Sequence, residues 1–141
     1  MKFKLFFTVL ACFTLFHCGK NPETSLQYLN GYWEIKEVTL ADGSKREYTF
    51  SNTIDFIELN DSLVGFRKKL TPTLEGTFKT SGDAENIKAI IQHDSLILEY
   101  TTPFSNWKET VLKATEDKLL IVNAQKDLYL YSRYEPLERI D

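Results

Sequence analysis

The sequence predicts an all-β domain, an antiparallel meander barrel of eight to ten strands, behind an N-terminal signal peptide. Three observations carry that expectation. Turn-forming clusters recur from Gly31 onward at roughly the 8–12-residue spacing of barrels and sandwiches. Between them, apolar residues alternate with a period of two. Aromatic residues make up 13% of the 141 positions, enough apolar area for one packed core in a chain too short for two domains.

The elements follow in chain order. Met1-Lys2-Phe3-Lys4 is a short positive stretch, and Leu5–Phe16 is apolar. A run of that length spans only ~18 Å as a helix, against ~30 Å for a hydrocarbon core, so residues 1–17 fit a signal peptide and not a membrane span. Leu15-Phe16-His17-Cys18 resembles the lipobox of bacterial lipoproteins. That resemblance implies that Cys18 is acylated and opens the mature chain. Phe16 and His17 are bulkier than the pattern's usual small residues, and Val9-Leu10-Ala11-Cys12 is the competing site. Cutting there would leave Phe13–Phe16 apolar beyond the cleavage point. Resemblance to Gram-negative lipoproteins, with Gly19 and not Asp after the cysteine, implies the outer membrane over the inner, with the periplasmic and surface sides both open.

Residues 18–30 form the lipidated cysteine, a tether over Gly19–Thr24, and a short helical turn placing Leu26 and Leu29 against the domain. The barrel domain is 31–141. Its expected strands are Tyr32–Leu40, Glu47–Phe50, Ile54–Leu59, Leu63–Leu70, Leu74–Lys79, Ile87–Gln92, Leu96–Thr101, Trp107–Ala114, Leu119–Val122 and Leu128–Tyr134. Leu96, Leu98 and Tyr100 share one face, and Leu128, Leu130 and Ser132 oppose Tyr129, Tyr131 and Arg133. Trp33 and Ile35 have one parity while Val38 and Leu40 have the other, which predicts a bulge near Lys36–Glu37. Over Asp83–Gln92, the spacing of Ile87, Ile90 and Ile91 also fits a helix.

Asn30-Gly31-Tyr32-Trp33-Glu34-Ile35, opening the first strand, resembles the Gly-x-Trp signature of the lipocalin/calycin group. The resemblance implies that Trp33 plugs one end of the barrel and that an arginine from the last strand packs across its indole. Arg133, in Leu128-Tyr129-Leu130-Tyr131-Ser132-Arg133-Tyr134, is the residue in that place. The mature chain, including Gly65-Phe66-Arg67-Lys68-Lys69, is similar to small lipocalin-like lipoproteins of Flavobacteria-type bacteria. That likeness implies fold and location and little about activity. The Thr-Asp-Tyr loop motif and long C-terminal helix of lipocalins are absent. So is the final-strand Arg-x-Tyr carboxylate clamp of fatty-acid-binding proteins, since the order here is Tyr131-Ser132-Arg133.

Composition excludes several functions. The two cysteines, Cys12 and Cys18, leave the body without a disulfide or thiolate metal site. Loss of Lys2 and Lys4 with the leader leaves 15 basic against 20 acidic residues, an acidic surface unsuited to nucleic acid or anionic lipid. Of the two histidines, only His93 lies in the mature chain, in a turn, so no metal site or cofactor is expected. No nucleophile elbow or phosphate loop is present. Asp55, Glu58, Glu75, Glu99 and Glu109 supply carboxylates, but on alternating strands these belong to the wet face, and no catalytic residue is assigned. Arg67-Lys68-Lys69 is the one basic cluster, read as a charged edge strand or an anion-facing patch. Asp61-Ser62-Leu63 and Asp94-Ser95-Leu96 resemble the O-glycosylation acceptor of Bacteroidota exported proteins, with Ser62 and Ser95 as sites.

The expected function is non-catalytic binding of a small apolar ligand in the outer envelope, with Phe56, Phe66, Phe78, Tyr100 and Trp107 lining the cavity. The alternative is a ligand-free interaction or inhibitor subunit docking on an envelope protein through exposed Tyr129 and Tyr131. Expected partners are the membrane, through the lipid anchor, and a small hydrophobic ligand or an envelope protein.

Overall fold

A computed structural model describes residues 21–136. The leader, Cys12 and Cys18 lie outside the described residues. A short helix α1 spans Pro22–Leu26, entered through Asn21, whose side chain accepts from the Glu23 amide at 3.0 Å. Proline at the first helical position and an acidic residue in the first turn complete a strong start signal. The helix therefore begins inside the stretch expected to be tether.

Ten strands follow: β1 (Gly31–Thr39), β2 (Lys45–Glu47), β3 (Ile54–Leu59), β4 (Val64–Pro72), β5 (Phe78–Thr80), β6 (Glu85–Gln92), β7 (Ser95–Thr101), β8 (Asn106–Ala114), β9 (Lys118–Asn123) and β10 (Leu128–Arg133). Eight of them close a ring in the order β1-β3-β4-β6-β7-β8-β9-β10, and β10 returns to pair with β1. β2 and β3 share the same edge of β1, and β5 and β6 flank β4 in the same way. Each couple thus acts as one interrupted strand of an up-and-down barrel. Closure removes the free edges that an open sheet would expose.

The Ile35/Glu37 register shift on β1 is the bulge that the parity change predicts, and it keeps Trp33, Ile35 and Val38 all facing inward. A second shift, at Val111/Lys113 on β8, has no comparable sign in the sequence. β6 is a strand and not a helix, with Ile87 and Ala89 inside opposite Tyr100 and Leu98, while Ile90 faces outward opposite Ile97. Two short strands lie elsewhere than expected. The 40–44 turn is tight, with the Leu40 amide bonding Ser44 and Gly43 bonding back to Leu40, so pairing starts at Lys45 and ends before Phe50. Thr73 and Thr77 close a second turn around Gly76, which leaves Leu74 97% exposed and delays β5 to Phe78.

The core fills the closed half of the barrel. Leu29, Trp33, Ile57, Leu59, Ile87, Ala89, Leu96, Leu98, Val111, Ala114, Leu119 and Ile121 form one buried cluster, with Leu26 of α1 packed against it. Ile54 and Leu70 are also buried but stand on the outward parity of β3 and β4, outside that cluster. They belong to a second apolar layer on the outer wall.

Candidate functional site

The closed end is built around one tryptophan. Trp33 is fully buried, and its Nε1 donates to the Leu29 carbonyl at 2.8 Å. The Arg133 guanidinium carbon lies 3.7 Å from the centre of the indole. Arg133 donates from Nε to Glu116 (2.9 Å), from NH1 to Asn30 (2.8 Å) and from NH2 to Tyr28 (2.8 Å), all backbone carbonyls. One planar cation thus joins the N-terminal segment, the β8–β9 turn and the last strand. Gly31 makes the approach feasible. Its φ is +128°, and a Cβ there would run into the Arg133 guanidinium.

Toward the other end the interior turns polar. Arg67 points inward from β4 with its side chain only 11% exposed, and its Nε donates to Glu85 at 2.5 Å. Its NH1 donates to the Tyr100 hydroxyl at 3.2 Å and lies 3.4 Å from Glu109. The guanidinium also rests over the Tyr100 ring at 4.4 Å, and Trp107 stacks on Tyr100 at 5.1 Å and 7°. Lys69, two residues further along β4, pairs with buried Asp55 at 2.8 Å. Burial pulls the Arg67 pKa down, and the surrounding Tyr100, Glu109 and Glu85 groups more than reverse this, so the guanidinium stays charged. Burial raises the Glu109 pKa, with Arg67 and Tyr100 pulling it partly back. Burial likewise pushes the Tyr100 and Tyr131 hydroxyls up.

The basic stretch is therefore not an edge strand. β4 is flanked on both sides, and its alternation sends Arg67 and Lys69 inside while Lys68 lies over Phe66 on the wall at 4.8 Å. Tyr129 and Tyr131, expected outside, have the inward parity opposite buried Ile121 and Leu119, and Tyr131 packs on the core.

The five residues expected to line a cavity separate into two groups. Tyr100 and Trp107 belong to the interior. Phe56, Phe66 and Phe78 do not, because inward Asp55, Ile57 and Arg67 fix the opposite parity for Phe56 and Phe66. They form an outer aromatic layer, with Tyr32 stacked on Phe56 at 4.7 Å and on Phe78 at 5.1 Å. Phe56 touches Phe66 at 5.9 Å, and Phe78 meets Tyr134 edge-on at 6.2 Å. Ser62 is exposed in the β3–β4 turn, and Ser95 is half-buried as the first residue of β7. His93 is exposed, as the first of two left-handed residues in the β6–β7 hairpin.

At the mouth lies a cavity of about 650 Å³, lined by Arg67, Lys69 and Glu85 below and by Ser81–Ala84 and Thr102–Phe104 around it. No group of three or more metal-ligating side chains occurs among the described residues. Asp83 and Glu85 are the two carboxylates on the cavity wall, and Arg67 bridges Glu85 to Glu109 behind it.

A family model described as "Lipocalin-like domain" matches residues 29–121, from the leucine under the Trp33 plug to the inward Ile121 of β9. Similar solved structures include a lipocalin-like protein from Bacteroides uniformis ATCC 8492, with 9% identity and a TM-score of 0.49 over 75% of this chain and 98% of that one. An uncharacterized protein from Bacteroides eggerthii DSM 20697 has 11% identity and a TM-score of 0.49 over 74% of this chain and 98% of that one. No curated protein matches the chain as a relative. With a closed meander of eight strands and a family match over more than half its length, the chain belongs to the lipocalin-like domain family.

Proposed function

We propose that the protein is a non-catalytic binding module, held at the outer membrane by an acyl group on Cys18, that takes one small molecule into the mouth of its barrel. The mouth cavity carries this proposal. At about 650 Å³ it falls within the ~300–1,000 Å³ of small-ligand sites, and polar groups converge on one wall of it. The closed half offers no such room, because its inward positions are occupied by mutually packed side chains. The ligand would therefore sit higher than a deep apolar cavity implies, touching Arg67, Glu85 and Phe104, with the outer phenylalanines taking no part.

Native mass spectrometry of the gently purified full chain tests this. The expected result is an adduct of small-molecule mass, either co-purified or formed with an added short-chain amphiphile. A bare mass under both conditions overturns it.

A second function is favoured by one specific observation. Leu74 and Phe104, each 97% exposed, stand on loops that an interaction subunit could press against an envelope protein. Photo-crosslinking from position 104 in intact cells should then give one discrete protein product, and no product excludes it. Export would also expose Ser62 to an O-glycosyltransferase, which an intact-mass increment lost in Ser62→Ala would verify.

A further inference from the structure

We propose that the mouth cavity selects uncharged amphiphiles, a hydroxyl, ester or amide head on a short apolar body, and discriminates against carboxylates. Its one buried arginine is neutralised before any ligand arrives. This selectivity presupposes small-molecule binding at the mouth and adds the chemical class of the head group.

An arginine facing a barrel interior would ordinarily invite an anionic head, because a guanidinium pairs with a carboxylate through two parallel hydrogen bonds. Here the geometry for such a pair is already taken. The Nε edge of Arg67 is closed by Glu85 at 2.5 Å, and NH1 is shared between the Tyr100 hydroxyl at 3.2 Å and Glu109 at 3.4 Å. The Tyr100 ring covers one face of the guanidinium at 4.4 Å. The second cation, Lys69, is held by Asp55 at 2.8 Å. Asp83 adds a further carboxylate to the cavity wall. Two cations thus meet four carboxylates, and an incoming carboxylate would enter a field already negative. Like charges that share a partly buried site repel at strengths water does not screen away.

What the arginine still offers is a donor. Its NH2 group makes no hydrogen bond to any of the described residues. No buried side-chain nitrogen or oxygen among those residues lacks a partner, so NH2 is not sealed in the wall. Since Arg67 lines the cavity, NH2 is left to donate to a neutral acceptor that brings no charge of its own. Ala84 and, at the exposed rim, Pro103 and Phe104 offer apolar surface that a short chain would cover. Glu85 and Glu109 are thereby specificity-determining residues, because they compensate the Arg67 charge and occupy edges that a ligand carboxylate would need.

Calorimetric titration of the full chain with 1-octanol and with octanoate at neutral pH tests this, since the two probes share a chain length and differ in head charge. The expected result is octanol binding at least tenfold more tightly. Glu85→Gln, at a position with 32% of its side chain exposed, should narrow or reverse that ratio by improving octanoate affinity relative to octanol. Octanoate binding as well as or better than octanol to the unaltered chain overturns the selectivity while leaving small-molecule binding intact. Binding of neither probe removes both proposals. An unchanged ratio in Glu85→Gln refutes the part assigned to the pre-formed ion pair.

Discussion

Replacing Arg133 with alanine removes the cation from the indole of Trp33 and frees three backbone carbonyls together. The stacking contact is worth about 1 kcal/mol, within the usual range of about 0.5–2. Each hydrogen bond contributes about 0.5–1 kcal/mol net, because most of the freed acceptors stand near solvent and can be rehydrated. The expected loss is therefore about 3 kcal/mol. For a domain of this size that corresponds to a fall in Tm of about 12 °C. Urea denaturation followed by tryptophan fluorescence measures it, and Trp33→Phe in a double-mutant cycle isolates the stacking part. Arg133→Lys should fall between, since an ammonium keeps the charge but cannot reach three carbonyls as a planar fork does. A loss below about 0.5 kcal/mol for the alanine variant would mean that the barrel holds its end shut without this residue.

Gly65→Ala should cost about 3 kcal/mol or abolish folding, because a methyl group there would collide with the Glu58 carbonyl of the neighbouring strand; thermal unfolding reports the loss. Asp94→Gly should raise stability by about 0.5 kcal/mol, since His93 and Asp94 both have positive φ in a two-residue turn that favours glycine at its second position. Equal or lower urea midpoints would count against that turn assignment. The pH dependence of stability should flatten in Glu109→Gln. Burial raises the Glu109 pKa in the folded state above its ordinary 4.5, so between those two values the native chain binds more protons than the unfolded one. Stability in the unaltered protein should accordingly decline as pH climbs from 4.5 through the raised value. The opposite slope, read from denaturation midpoints across that window, would contradict the burial of this carboxyl.

Much of the barrel is legible in the sequence because turn chemistry and alternation act locally. The Lys36–Glu37 bulge follows from a parity change that has one structural remedy. Trp33 and Arg133 can be paired across a hundred residues because the first and last strands of a ring must meet. The interior placement of Tyr100 and Trp107 holds, and that of Phe56, Phe66 and Phe78 fails for a different reason. In Phe66-Arg67-Lys68-Lys69 both faces carry cations or rings, so hydrophobicity alone favours placing the phenylalanine inside. Counting outward from Ile57, through its pairing with Arg67, gives the reverse answer, and that pairing is tertiary information. Tyr129 and Tyr131 show the same ambiguity against Leu128 and Leu130, since both sets are apolar enough to be buried. A wall coated with a second aromatic layer weakens the contrast on which periodicity depends. The helix start at Asn21-Pro22-Glu23, expected to be tether, has its signal in capping residues that polar composition masks.

Where the chain enters the barrel has a geometric consequence. α1 lies against β7 and β8, and the carbonyls just after it are gripped at the Trp33 end. An acyl group on Cys18 would be joined to Asn21 by a leash of at most ~3.6 Å per residue, far shorter than the ~30 Å that a nine-residue strand such as β1 covers. The plugged base would then rest toward the bilayer, and the opening would be aimed into the space beyond. Cargo would have to come from that space, or from whatever stands across it, and not from the leaflet underfoot.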